Sequence, residues 1–234
     1  MNGKIDILQI NGGLVDAQAI SRFNKVYRKS PMEEILIARQ YMIDLIEILQ
    51  PKKVVVNYGN HDLRFQNYLA KNLDTDLLEL MPKTSLELIF VDGFNHYNKE
   101  LHTKVHYDPL TDVFKDSGIE IVYNDTWFSF VGETIFVHPL AYSSGMLKTA
   151  EKAYRYFKDN DYFFDTIVMA HTHKTGHYDI GNSVIYEQGC CCETSKMDYA
   201  DGKLTPSQRE GFILVYQDKF GRLNEDKTHI VRLN

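Results

Sequence analysis

Apolar and polar positions change their period along the chain, and the changes mark alternating strands and helices. Residues 4–10 alternate apolar with polar and set Ile7 and Leu8 side by side, which predicts a partly or fully buried strand. Asn11-Gly12-Gly13 follows as a tight turn. Ser30-Pro31-Met32-Glu33 has the form of a capping box, with Ser30 as the cap, Pro31 at the first helical position and Glu33 closing the box. Ile35, Ala38, Met42, Leu45, Ile46 and Leu49 then recur at helical spacing until Pro51 stops the helix. Residues 53–57, rich in β-branched side chains, predict a buried strand ending at the turn Tyr58-Gly59-Asn60.

Residues 63–80 read as one helix, and 92–112 as a polar, histidine-bearing excursion outside the core. Strands are expected at 119–123, 127–131 and 134–137, a helix at 147–159, and a further buried strand at 166–170. The segments 183–186 and 212–216 look like late strands, with Gly221 ending a hairpin formed with the tail. The aromatic cluster Tyr154, Tyr156, Phe157, Tyr162, Phe163 and Phe164 is most simply core and its rim. No repeat, low-complexity linker or shift in composition divides the chain, so residues 1–234 read as one domain.

Composition narrows the class. Among 234 residues, 44% are hydrophobic and 25% charged, which favours a folded globular protein over disorder. No apolar run approaches the ~18–20 residues of a membrane span, and the polar start does not resemble a secretory signal. The three cysteines are consecutive, Cys190-Cys191-Cys192, so no disulfide framework is implied and the expected compartment is the cytoplasm. They read as buried small residues at a strand end rather than a soft metal site. The net charge of −6 argues against a simple electrostatic nucleic-acid binder. An enzyme that meets phosphate through a metal ion stays open.

Candidate chemistry sits at strand ends. Residues 54–62, 135–139 and 167–173 share one layout: an apolar strand, then small and polar residues at its carboxyl end. Ligands of open α/β sheets bind outside those ends, so Asn60, His61, Asp62, His138, His171 and His173 could converge. Imidazole nitrogens mixed with amide or carboxylate oxygens suit a borderline dication such as Mn, Fe, Zn, Ni or Co. Each piece also has a plain reading: a satisfied histidine, or a turn built on Gly59 and Asn60.

These segments resemble the calcineurin-like metallophosphoesterases. The motifs of that family run Asp-x-His, Gly-Asp-x-x-Asp, Gly-Asn-His-Asp/Glu, a lone His after a strand, and Gly-His-x-His. Gly59-Asn60-His61-Asp62 stands intact, His138 is the lone histidine, and Ala170-His171-Thr172-His173 matches the last motif with Ala for Gly. Gly12-Gly13-Leu14-Val15-Asp16 sits where Gly-Asp-x-x-Asp belongs, with Gly13 in place of the bridging aspartate. Ser21-Arg22-Phe23 and Asp62-Leu63-Arg64 look like a phage or bacterial branch.

The resemblance implies an α/β sandwich of two mixed sheets flanked by helices. The first motif has no counterpart, so the usual amino-terminal strand and helix are expected to be missing. A partner or a second copy is expected to cover the exposed sheet edge. The resemblance further implies metal-activated water attacking a phosphate ester of a nucleic acid, nucleotide or phosphoprotein. Asn60, His138 and His171 would hold the second metal and His173 the first, with one or at most two ions bound, Mn foremost. His61 would be the general acid or a charge stabiliser beside the phosphate, with Asp62 orienting its ring, while Asp16 and Arg64 would brace the loop or face substrate. With Gly13 offering no carboxylate, activity is expected to be impaired. The alternative is a catalytically inactive binding or scaffold protein of the same fold. His96, His102, His106, Asp92, Asp108 and Asp112 read as a solvated loop, with replacement ligands as the sharper alternative, and His177 as a surface residue.

Overall fold

The computed structural model describes residues 5–21, 29–196 and 208–233. The contacts of the chain group into two compact units, Met1–Asp125 and Thr126–Asn234. Arg22 and Phe23, part of the Ser21-Arg22-Phe23 motif, lie outside the described residues.

The first unit opens with β1 (Ile7–Asn11), α1 (Pro31–Leu49) and β2 (Lys53–Asn57). The capping box at the start of α1 is complete: Ser30 Oγ accepts from Met32 N–H and Glu33 accepts from Ser30 N–H. Gln50, at φ 47°, turns the chain left-handed just before Pro51. Next come α2 (Leu63–Asn72), α3 (Thr75–Leu78) and α4 (Ser85–Glu87), which runs on into a wider helical turn at Leu88–Asp92. A hairpin of β3 (Phe94–Asn98) and β4 (Thr103–Tyr107), then α5 (Leu110–Val113) and β5 (Glu120–Asn124), complete the unit.

The sheet order is β1-β2-β5, parallel throughout, with β1 pairing only with β2 among the described strands. The long crossovers that contain α1 and α2 through α5 allow that parallel pairing. Val54, Val55 and Val56 are buried without alternation because β2 is covered on both faces. Ile35, Ala38, Met42 and Ile46 form the buried stripe of α1.

Two expectations change here. The helix expected over 63–80 breaks after Asn72, because Asp74 caps a new helix by accepting from Asp76 N–H. The excursion at 92–112 is partly core. Phe94 and Leu110 are buried, and Phe94 stacks on Tyr107 with ring centres 5.2 Å apart. Its hairpin buries one end and solvates the other, so the average polarity of the segment hid its anchor.

The second unit contains β6 (Phe128–Val131), β7 (Thr134–Val137), α6 (Lys148–Asp159), β8 (Thr166–Met169), β9 (Thr175–Ile180), β10 (Ser183–Gln188), β11 (Gly211–Leu214) and β12 (His229–Arg232). Its five-stranded sheet has the order β6-β7-β8-β10-β9. β7, β8 and β10 are parallel, and the edge strands β6 and β9 are antiparallel to their neighbours. The expected antiparallel pairs thus sit in this sheet and in the two hairpins, outside the first sheet.

Alternation along the strands sorts side chains between two faces. Ile135, Val137, Ile167, Met169 and Ile185 pack with Ala150, Ala153 and Phe157 of α6. Phe136, Val168, Val184 and Tyr186 pack on the other face with Ile213 and Ile230 of the β11–β12 hairpin. Phe157 and Phe164 are core as expected, while Tyr156 and Phe163 are exposed. No helix among the described residues is long and apolar enough to cross a membrane.

Candidate functional site

In the first unit, Asn11 and Asn57 are register partners at the carboxyl ends of β1 and β2. The two following loops therefore leave from adjacent points. Gln9 donates to Asn57 Oδ1 at 2.6 Å, and Asn57 donates to Asn11 Oδ1 at 2.9 Å. This polar ladder was not read from the sequence. Its signal was there: Asn11, Asn57 and Asn124 each end a strand of one sheet.

Asp62 ties the loops together. It is fully buried, and its Oδ2 accepts from Gly13 N–H and from Gly59 N–H, each at 2.7 Å. Burial pushes its carboxyl up to about 6, against the opposing effects of those N–H groups and of His61. Gly12 and Gly13 both stand at φ +71°, where a side chain with a Cβ is disfavoured by ~1–2 kcal/mol. Glycine at 13 thus lets the backbone turn its N–H to Asp62.

The carboxylate on the His61 ring is Asp16 rather than Asp62. Asp16 Oδ1 lies 2.9 Å from His61 Nδ1 and 2.6 Å from Arg64 Nη1, and Arg64 also donates to the Asp16 backbone carbonyl. Burial would raise the Asp16 carboxyl, but the bond and charge of His61, with Arg64, outweigh it and hold it below its usual value. The sequence could not separate two carboxylates that flank one loop. Only their depth does: Asp62 is fully buried, and the Asp16 side chain is 53% exposed.

In the second unit, His138 directly follows β7, and His171 follows β8 after Ala170. Val137 and Met169 are register partners on these parallel strands, so the two histidines leave from neighbouring ends. Their ring centres are 5.3 Å apart, and the Tyr142 ring lies 6.2 Å from His171. His171 and His173 both take left-handed backbone, at φ 91° and 57°. Such conformations cost of order 1–3 kcal/mol and need firm support.

Lys174, next in sequence to His173, ties down the 143–145 loop. It is almost fully buried, and its ammonium donates to the Ser144 and Gly145 carbonyls at 2.9 and 3.3 Å. Glu187, also buried, faces it from β10 without a hydrogen bond of good geometry to either oxygen. Burial raises the Glu187 carboxyl, partly offset by Lys174, the Leu147 N–H and the Thr172 hydroxyl. Burial likewise lowers the Lys174 ammonium, offset by Glu187. His173 Nδ1 lies 3.2 Å from Gln208, and its carbonyl accepts from Arg209 N–H at 2.8 Å. Neither Lys174 nor Glu187 was singled out from the sequence, because burial of a charge leaves no local pattern.

The structure gathers Gly13, Asp16, His61, Asp62 and Arg64 in one loop cluster, with Asn60 half-buried in the same turn. It pairs His138 with His171 and sets His173 toward Gln208. Imidazole donors suit a borderline dication in kind. In number the site is short: among the described residues, no three His, Cys, Asp or Glu side chains are grouped to hold a metal. His102 and His106 are exposed on the β3–β4 hairpin, where His106 contacts Asn95 and Asp108. His177 is exposed and stacks on Tyr186. The cysteines are not buried: Cys190 is half-exposed, and Cys191 and Cys192 are exposed.

No protein-family model matches the chain, and no curated protein matches it significantly. Among solved structures, it is similar to an archaeal phosphodiesterase at 11% identity and a TM-score of 0.40, covering 99% of this chain and 100% of that one. Vps29 from Entamoeba histolytica follows at 12% identity and 0.37, covering 97% and 99%. A predicted phosphoesterase from Streptococcus pneumoniae TIGR4 gives 8% and 0.32, covering 98% and 97%. Likeness at this level carries no argument about the fold or chemistry of this chain, which rest on its own residues.

Proposed function

We propose that this chain is a metal-dependent phosphoesterase of the calcineurin-like kind, hydrolysing phosphomonoesters or phosphodiesters, with activity impaired by Gly13. The observation that carries the reading is the His138–His171 pair. Its rings are 5.3 Å apart beyond adjacent parallel strands, and the His171-Thr172-His173 turn is held in costly backbone. We assign His138, His171 and His173 to holding a divalent transition ion, manganese foremost, with iron, zinc, nickel or cobalt as alternatives. Such an ion supplies Lewis acidity toward a phosphoryl oxygen.

His61 carries the proton. Asp16 holds its Nδ1 at 2.9 Å, which leaves Nε2 as the atom that exchanges a proton with the substrate. Arg64 fixes Asp16, and Asp62 fixes the loop on which His61 stands. The substrate is assigned only by class, as a phosphate ester of a nucleic acid, nucleotide or phosphoprotein, and the compartment as the cytoplasm.

The test is metal content after dialysis, together with hydrolysis of aryl phosphate mono- and diesters. The expected result is at most one ion per chain and weak hydrolysis. His138→Ala and His171→Ala should lose the ion. His61→Ala should keep it and lower kcat by ~10²–10⁴-fold. Retained metal with no hydrolysis would favour a binding protein of the same fold. Failure to retain any of the five metals would sink the assignment.

A further inference from the structure

We propose that the second unit holds a binding site for a linear aliphatic diamine or polyamine, at the end of its sheet opposite to His138 and His171. A cavity of about 430 Å³ lies there, bordered by the starts of β8 and β10 and by residues 223–226. Its size falls in the ~300–1,000 Å³ range of small-molecule sites. Asp165, Glu225 and Asp226 line it with three carboxylates, and among the described residues no lysine, arginine or histidine joins them. Clustered carboxylates are by themselves ordinary; two buried polar atoms are what point to a ligand.

The first is on Thr166. It is completely buried, and its hydroxyl has no hydrogen-bond partner within the protein. Its direction follows from the sheet. Ile167 and Met169 pack toward α6 and Val168 toward the β11–β12 hairpin, so alternation sends Thr166 to the side of Val168. Its register partners agree: Thr134 Oγ1 accepts from Gln217 at 3.0 Å, and Val184 packs with Leu223 on that same side. Gln217 satisfies Thr134, whereas Thr166, on the next strand, lines the cavity. The second atom is on Asp165. Its Oδ2 accepts from Leu223 N–H at 3.1 Å, while its Oδ1 is buried with no partner. A carboxylate oxygen and a hydroxyl left this way cost free energy until a donor meets them.

The group that answers both atoms is a primary ammonium. It carries three donors, no acceptor and a positive charge. One head therefore donates to Asp165 Oδ1 and Thr166 Oγ1 and balances the carboxylate. A guanidinium is matched by both oxygens of one carboxylate, and Leu223 N–H already holds one of those on Asp165. A bare metal ion is not matched either, because no three His, Cys, Asp or Glu side chains among the described residues are grouped to hold one. Val184 and Leu223 give the cavity an apolar wall for an alkyl chain, and the exposed Glu225 and Asp226 meet a second ammonium. The inference does not rest on the phosphoesterase reading, since none of these residues belongs to that site.

The test is isothermal titration calorimetry of the full chain with putrescine, n-butylamine and calcium chloride. Putrescine should bind saturably at a single site, and n-butylamine, which lacks the second ammonium, about tenfold more weakly. Thr166→Val keeps the shape and removes the hydroxyl, and it should weaken putrescine about tenfold, with Asp165→Asn weakening it at least as much. Glu225→Gln combined with Asp226→Asn should bring putrescine down to the level of n-butylamine and leave n-butylamine nearly unchanged. Calcium should not displace putrescine. Circular dichroism checks that each variant is folded. Absence of saturable putrescine binding in the millimolar range, equal affinity in the parent and Thr166→Val, equal affinity for the two amines, or displacement by calcium would overturn the proposal.

Discussion

The loop cluster of the first unit and the histidine turn of the second both follow parallel strands, yet they are held by different means. The loop cluster is tied by a carboxylate. Asp62 gathers two backbone N–H groups, and the backbone beneath it is glycine at left-handed angles. The histidine turn has no glycine at its left-handed positions. His171 and His173 occupy them, and a buried ammonium on three carbonyl-bearing residues holds the neighbouring loop. The first region lowers the cost of its shape by its choice of residue. The second carries the cost in its histidines and has a buried charge beside it, so the two should fail differently.

The largest effect is expected at Lys174. Lys174→Met removes the donor to the 143–145 carbonyls and leaves Glu187 buried without its opposite charge. It should cost ~3–5 kcal/mol in urea denaturation. Adding Glu187→Gln should recover much of that loss. Equal damage in the single and double variants would show that the two charges do not act together.

A somewhat smaller effect belongs to Asp62, and it depends on pH. The carboxyl is raised from 3.8 to about 6, so the folded state holds its proton more tightly than the unfolded state does. The stability it contributes is fully present below about pH 4 and is lost as pH rises through 6, by up to about 3 kcal/mol. Asp62→Asn keeps an acceptor for the Gly13 and Gly59 N–H groups and cannot ionise. Denaturation midpoints between pH 4 and 7 should therefore slope less in this variant than in the parent. An unchanged slope would assign the pH dependence to other groups.

Asp16 should matter least for folding. Its side chain is about half exposed, and its pairs with His61 and Arg64 are worth ~0.2–1 kcal/mol. Asp16→Asn should thus shift thermal unfolding slightly while lowering hydrolysis far more, through a misplaced His61. Loss of stability comparable to that in Lys174→Met would make Asp16 a structural brace instead.

Much of this comparison was legible before any coordinates. The capping box at Ser30–Glu33, the buried run 53–57 and the histidines after β7 and β8 are local patterns, and each one formed where its spacing put it. The helix break at Asp74 was legible in principle, because a capping residue stands there, but the helical stripe across it gave a stronger signal. β9 was missed: its residues, Thr-Gly-His-Tyr-Asp-Ile, carry little apolar alternation, since an edge strand buries little.

By itself the sequence determined the alternation of strands and helices and the placement of Asn60, His61, His138, His171 and His173 at strand ends. These depend on backbone propensities and on periods of two and 3.6 residues, which are written in neighbouring positions. Tertiary structure alone decided which of Asp16 and Asp62 meets His61 and that Lys174 and Glu187 are buried together. Those outcomes depend on depth and on contacts between distant segments. A carboxylate, an ammonium or a thiol reads the same in a sequence whether it will be solvated or enclosed.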